Sequence, residues 1–289
     1  MRVITVIKKN EYPKQLLEIP EPPEKLFVRG TLPAEETKFL CVVGSRKYTK
    51  YGEEACIKII SELRGYPIAI VSGLALGIDA IAHKAALRAG LTAIAFPGSG
   101  LNEGVLYPAS NYPLARRILE AGGALVSEFE PDFKATPYAF PQRNRLMAGI
   151  SHAVVIVEAA EKSGTLITAR LALDYNRDVF VVPGPIFSNS SVGSNHLLKE
   201  GAAPITSGSD LLDHWGFETN AKTKNQNVKV IEDCSPEEKL VLRLLHEPVP
   251  KDKLVRMLEM PIHEANILLS KMEIKGIIKE VVGEVQISV

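Results

Sequence analysis

From about residue 38 the chain repeats one pattern: a short β-branched apolar run, a turn rich in Gly, Ser or Pro, then an amphipathic stretch with helical spacing. The runs fall at 39–43, 68–71, 92–96, 124–126, 153–157 and 179–182, with a shorter one at 203–205. Helical periodicity occupies roughly 49–64, 78–89, 110–121, 141–149, 164–175 and 194–200. Strands that are apolar at successive positions are covered on both faces, and helices between them supply the cover. The pattern therefore predicts an α/β fold built on a doubly wound, mostly parallel sheet, with binding loops beyond the carboxyl ends of the strands.

The flanks read differently. Residues 1–37 carry Pro13, Pro20, Pro22, Pro23 and Pro33, and proline lacks the donor that a central strand needs. They are expected to form an extended N-terminal lead-in packed on a main domain of residues 38–216. Residues 217–234 are polar and mostly aperiodic, which predicts a linker. Beyond it, 235–289 shows a helical stripe from 236 to 245, two short helices near 251–258 and 263–275, and an alternating stretch around Gly283 like a small hairpin. That order predicts a small C-terminal winged-helix domain. Its third helix carries Lys271 and Lys275 but also Glu264 and Glu273, so a protein contact is as well supported as duplex binding.

Composition narrows the class. The chain has 289 residues, 46% of them hydrophobic, enough for one large core and a small second one. No run approaches the roughly 20 apolar residues of a membrane helix, and no signal peptide is expected at the N-terminus. Cys41, Cys56 and Cys234 are few, distant and without a CxxC pair. Free thiols in a reducing cytoplasm are the simplest expectation. Basic and acidic residues balance at 34 each, which argues against a surface that coats polyanions all over. It does not exclude a local pocket, because a few arginines at helix N-termini suffice to make one.

The loops carry the candidate chemistry. Strand one leads into Gly44-Ser45-Arg46, where a dinucleotide fold would show GxGxxG, and strand two into Ser72-Gly73, where it would show a ribose-binding acid. An NAD-type reading thus fails at two independent points. What remains is a glycine, a hydroxyl and an arginine at a helix start, a set suited to phosphate oxygens. Similar Gly/Ser loops follow the other strands, at 97–100, 161–165 and 183–185, and together they line an anion-binding edge. The segment Phe140-Pro141-Gln142-Arg143-Asn144-Arg145 opens a helix with two arginines about an asparagine. Arginine forks grip phosphate, asparagine bonds a base edge and a phenyl ring stacks on one. The competing reading makes Phe140 a packing residue and pairs the arginines with Glu128 and Glu130.

GSR after strand one, SGLALGIDAIAH, FPQRNRLMAGIS, EKSGTLITARLAL, DVFVVPG and GSNHLLKEGA occur in this order along the chain. Together they resemble the bacterial DNA-processing protein A family (DprA, also called Smf), over about residues 11–215. The resemblance implies an extended Rossmann-like domain that binds single-stranded DNA, often as a homodimer. It further implies protection of incoming DNA in natural transformation and help in loading the RecA recombinase. By position, Gly44, Ser45 and Arg46 match the family's phosphate-binding turn, and Ser72 and Gly73 its second loop. Arg143, Asn144 and Arg145, behind Phe140, match its basic helix start, and Ser163, Gly164 and Thr165 its later glycine loop. Lys162 and Lys199 join this candidate set by position. The helical N-terminal domain of some members has no counterpart in this sequence.

An enzyme is the alternative: the phosphoribohydrolases that share this type of fold carry PGGxGTxxE. Here Gly164-Thr165 matches the GT, but Ile167 and Thr168 stand where acids should follow. Uncharged residues cannot stabilise the oxocarbenium-like charge of glycosidic cleavage. The six histidines show no HxxxH or HExxH, no GxSxG elbow occurs, and no P-loop is present. The expectation is a binder with no catalytic residue, cofactor or metal.

Overall fold

The computed structural model describes residues 3–218, 234–245, 249–281 and 283–287 and divides into two compact units, Met1–Phe217 and Glu218–Val289. The first is built on a nine-stranded sheet. Its strands are β1 (Ile4–Lys8), β2 (Lys25–Gly30), β3 (Lys38–Val43), β4 (Ile68–Ser72), β5 (Thr92–Ala95), β6 (Ala124–Ser127), β7 (Ala153–Ile156), β8 (Asp178–Val181) and β9 (Ala203–Pro204). They lie in the order β1-β2-β6-β5-β4-β3-β7-β8-β9. From β6 to β9 every neighbouring pair is parallel. The chain moves outward from β3 through β4, β5 and β6, then returns to the other side of β3 for β7. The order thus reverses between β3 and β7, and a crevice opens there beyond the strand ends.

The strands are apolar at successive positions because each face has its own core. Leu40 and Val42 of β3 join one cluster, packed with Ile59, Ile60 and Ile81 of α2 (Lys50–Glu62) and α3 (Ile78–Ala89). Phe39, Cys41 and Val43 point the other way, into a cluster with Leu146 and Met147 of α5 (Ala139–Ile150) and Ala169 of α6 (Thr165–Asp174). Alternate side chains of one strand thereby feed opposite cores. The expected mostly parallel, doubly wound α/β sheet is what the structure contains.

The lead-in departs from expectation. Residues 1–37 do not simply run over the main domain: β2 pairs antiparallel with β6, and β1 with β2, lengthening the sheet. Leu26, Phe27 and Val28 are buried. The prolines do not prevent this pairing, since Pro13, Pro20, Pro22 and Pro23 lie between β1 and β2 and Pro33 lies after both. None interrupts a ladder.

The second unit contains helices Pro236–Leu244, Lys251–Met257 and Ile262–Ile274. Beside them lies a three-stranded antiparallel sheet in the order β10 (Val249–Pro250), β12 (Glu284–Ile287), β11 (Ile278–Val281). Val241, Leu254, Leu269 and Val285 form its own core. Most of the expected linker, 219–233, lies outside the described residues. Among the described residues no helix is long and apolar enough to cross a membrane.

Candidate nucleic-acid interface

At the reversal point the loop after β3 faces the loop after β7. Between them opens a cleft of about 680 Å3, floored in part by α5. Gly44, Ser45, Arg46, Phe140, Arg143, Asn144, Ser163, Gly164 and Thr165 line it, nine of the candidates picked from the sequence. Residues that the sequence did not single out line it too, notably Lys47, Asp79, Asn189 and Ser190. Lys47 was legible in principle, next to Arg46 in a basic turn. Asn189 and Ser190 were not, because only the sheet order sets β8 next to β7 and so brings the segment after it beside this cleft.

The turn after β3 is shaped by its own side chains. Ser45 Oγ donates to the Lys47 carbonyl (2.8 Å) and accepts from the Lys47 N–H (3.0 Å), a local bond typical of hydroxyl turns. Its hydroxyl is thus engaged, while Arg46 is left exposed at the mouth. Thr49 caps α2 by accepting from the Gly52 N–H (3.2 Å). Gly77 holds the adjoining loop in register: its φ is +82°, and a Cβ there would collide with the backbone of Ser45 and Arg46. The Ile78 N–H donates to the Ser45 carbonyl (3.2 Å) at that crossing.

Arg143 has a different setting. Only 5% exposed, it donates from one guanidinium nitrogen to the carbonyls of Gly73 and Phe96, at the ends of β4 and β5. Its Nε donates to Asn144 Oδ1 (3.1 Å). The Gly73 N–H in turn donates to Asp79 (3.0 Å). Burial pushes the Asp79 carboxyl up from its ordinary range, against the opposing pull of Arg143 and of the Gly73 and Ala75 N–H groups. Arg143 therefore ties two strand ends to α5 and presents only an edge to the cleft. A Cβ on Gly73 would strike its guanidinium.

Other candidates separate from the cleft. Arg145 pairs with Glu128 and donates to the Glu21 carbonyl (2.6 Å), so the pairing reading fits it in the free protein. Ser72 is fully buried and donates to the Val42 carbonyl (2.7 Å). Gly73 borders a small depression next to the cleft. Lys162 is exposed but does not line the cleft. Lys199 lines a different groove with Arg170 and His196. Phe140 is half-buried, with the Arg46 guanidinium carbon 5.5 Å above its ring centroid.

The far wall carries the start of α6. Ser163 Oγ accepts from the Thr165 N–H (3.2 Å), and the Leu166 and Ile167 N–H groups donate to the Ser163 and Gly164 carbonyls (both 3.1 Å), so this turn satisfies its own first donors. Among the lining residues three cations, Arg46, Lys47 and Arg143, face one carboxylate, Asp79. Such a site is net positive and bordered by an aromatic ring. It suits an anion carrying phosphate oxygens and flat apolar groups.

A family model described as DNA recombination-mediator protein A matches residues 3–216. Protein Smf of Escherichia coli K12 is 39% identical over 281 residues, which cover 94% of this chain and 74% of that protein. The X-ray structure of DNA processing protein A from Streptococcus pneumoniae superposes with a TM-score of 0.68 at 39% identity, over 73% of this chain and 74% of that one. That of DNA processing protein A from Helicobacter pylori, described for its unique single-stranded DNA binding mode, gives 0.65 at 31% identity, over 74% of this chain and 98% of that one.

Proposed function

The chain belongs to the DNA recombination-mediator protein A family, and from that premise we propose that it binds single-stranded DNA in the cleft between the β3 and β7 loops. The observation that carries the reading is the exposed Arg46 guanidinium at the mouth of a net-positive cleft, over the ring of Phe140. Strand phosphates meet Arg46 and Lys47 on the Gly44 turn, while a base lies against Phe140. Asn144 stands behind them, 9% exposed and bonded to Arg143, so it orients the arginine more than it reads a base.

We take the protein to be a binder and not an enzyme. Two carboxylates near the cleft are already engaged. Asp79 is buried under the Gly73 N–H. Glu158 accepts from the Thr49 N–H (2.8 Å), the Thr49 hydroxyl (2.7 Å) and the Ser190 hydroxyl (3.1 Å). Neither is free to stabilise a sugar cation.

In the cell we place it in the cytoplasm, handling single strands in DNA uptake and recombination, as a homodimer that helps load the RecA recombinase. The family description as a recombination mediator supports that role. We read 235–289 as a winged-helix domain after the linker 217–234. Two of its lysines are paired, Lys275 with Glu238 and Lys251 with Glu280 (2.7 and 2.6 Å), which favours a protein contact over a duplex-gripping face.

The test is a salt titration of binding to a single-stranded oligonucleotide by wild type and Arg46→Ala. Loss of one phosphate contact reduces the slope of log K against log salt by about 0.7. Identical slopes and affinities for both proteins would remove the cleft from consideration.

A further inference from the structure

Next to the phosphate cleft lies a second, much smaller depression that shares Arg46, Ala75, Phe140 and Arg143 with it. Gly73, Leu76, Tyr107 and Pro108 complete its lining, and its volume is about 30 Å3. That is the share of one water molecule in the liquid, roughly 30 Å3. It swallows neither a phosphate nor a base. What it offers is an apolar surface: Leu76 is 51% exposed and Tyr107 47%. The Tyr107 ring centroid lies 5.7 Å from that of Phe140, with the planes at 50°. The lining residues include two guanidiniums and no carboxylate.

These exposed groups stand on braced backbone. The Tyr107 N–H donates to Ser99 Oγ (3.2 Å). A few residues on, the Asn111 side chain donates to the carbonyls of Leu74 (2.8 Å) and Ala75 (3.1 Å), clamping the loop that carries Leu76 to the segment that carries Tyr107. A large apolar ring left in water on a fixed mount is prepared to receive a flat partner, because a tyrosine has few rotamers to lose.

We propose that Tyr107, with Leu76, is a nucleobase shelf that takes a base next to the one on Phe140, which makes the site selective for unstacked strands. The inference rests on the cleft being the single-strand site. Its selectivity follows from the ring faces. Tyr107 and Phe140 touch each other at 5.7 Å and are tilted by 50°, so they do not continue one another's plane. A base inside a duplex has both faces covered by its neighbours, and it reaches a protein ring only after leaving its stack. Base identity matters little, since every base has a π-face, but the presence of a base matters a good deal.

The experiment compares a deoxyadenosine oligomer of about 12 nucleotides, within the range of single-strand site sizes, with an abasic oligomer of equal length and charge. Fluorescence anisotropy is measured for wild type, Tyr107→Ala, Tyr107→Phe and Arg46→Ala. Wild type should prefer the base-bearing strand. Tyr107→Ala should lose about fivefold or more of affinity for it and bind the abasic strand like wild type, and Tyr107→Phe should behave as wild type. If Tyr107→Ala binds both oligomers as wild type does, or weakens on both equally, the shelf is refuted. Arg46→Ala separates the two readings: weak binding there with an intact Tyr107→Ala sinks only the shelf, whereas no effect of Arg46→Ala on either oligomer sinks the cleft itself.

Discussion

Replacing Arg143 by alanine distinguishes a side chain that holds the site together from one that grips the ligand. In the structure its guanidinium satisfies the carbonyls of Gly73 and Phe96 and offsets the buried Asp79 carboxylate. Truncation leaves both carbonyls and the acid without that partner. Stranding one member of a buried charged pair costs about 3–5 kcal/mol, and each buried polar group left unsatisfied about 1–3, partly the same energy counted twice. We therefore expect a total near 4 kcal/mol. With a urea m-value of about 3 kcal/mol/M, the midpoint should fall by roughly 1–1.5 M. The assay is urea unfolding followed by circular dichroism, beside Asp79→Asn and the double mutant. Removing the acid's charge should return part of the loss, so the double mutant should be more stable than the sum of the two single effects predicts. An Arg143→Ala protein with an unchanged midpoint but no affinity for single strands would refute this account and make Arg143 a direct ligand.

Gly77→Ala should cost about 1–3 kcal/mol and weaken single-strand binding, because its left-handed backbone and the collision with Ser45 and Arg46 displace the phosphate turn. Gly90→Ala, also at positive φ but facing open space, should cost about 1 kcal/mol and leave binding intact; equal binding by both variants would count against the laced loops. Acid should also destabilise the fold. His83 is fully buried, and burial pushes its pKa down to about 3, while that of His152 falls to about 4. Because the unfolded chain takes up these protons first, stability is complete above about pH 6.5 and is lost as pH falls from there toward the folded values. His83 should cost about 1–1.5 kcal/mol near pH 5.5 and the half-buried His152 less, and His83→Leu should flatten the profile measured by urea unfolding between about pH 7.5 and 5.5. An unaltered slope in that variant would exclude His83 as a source.

By itself the sequence determined the repeating strands and helices, their parallel pairing and the edge where the loops collect. Those follow from local periodicity: runs apolar at successive positions need cover on both faces, and glycines at strand ends mark close turns. It also marked Gly44, Arg46, Phe140 and Gly164 as candidates, and all four line one cleft. What it could not decide was where each long side chain goes. Arg143 and Arg145 are two residues apart in one motif, yet one is locked beneath the loops and the other turns to Glu128 and Glu21. On a helix that separation is about 200°, so their partners are set by what packs on opposite sides. Pairing of β2 with β6 and the arrival of Asn189 and Ser190 at the cleft are likewise long-range facts. Strand partners are chosen by burial across the whole sheet, and no local pattern records that choice.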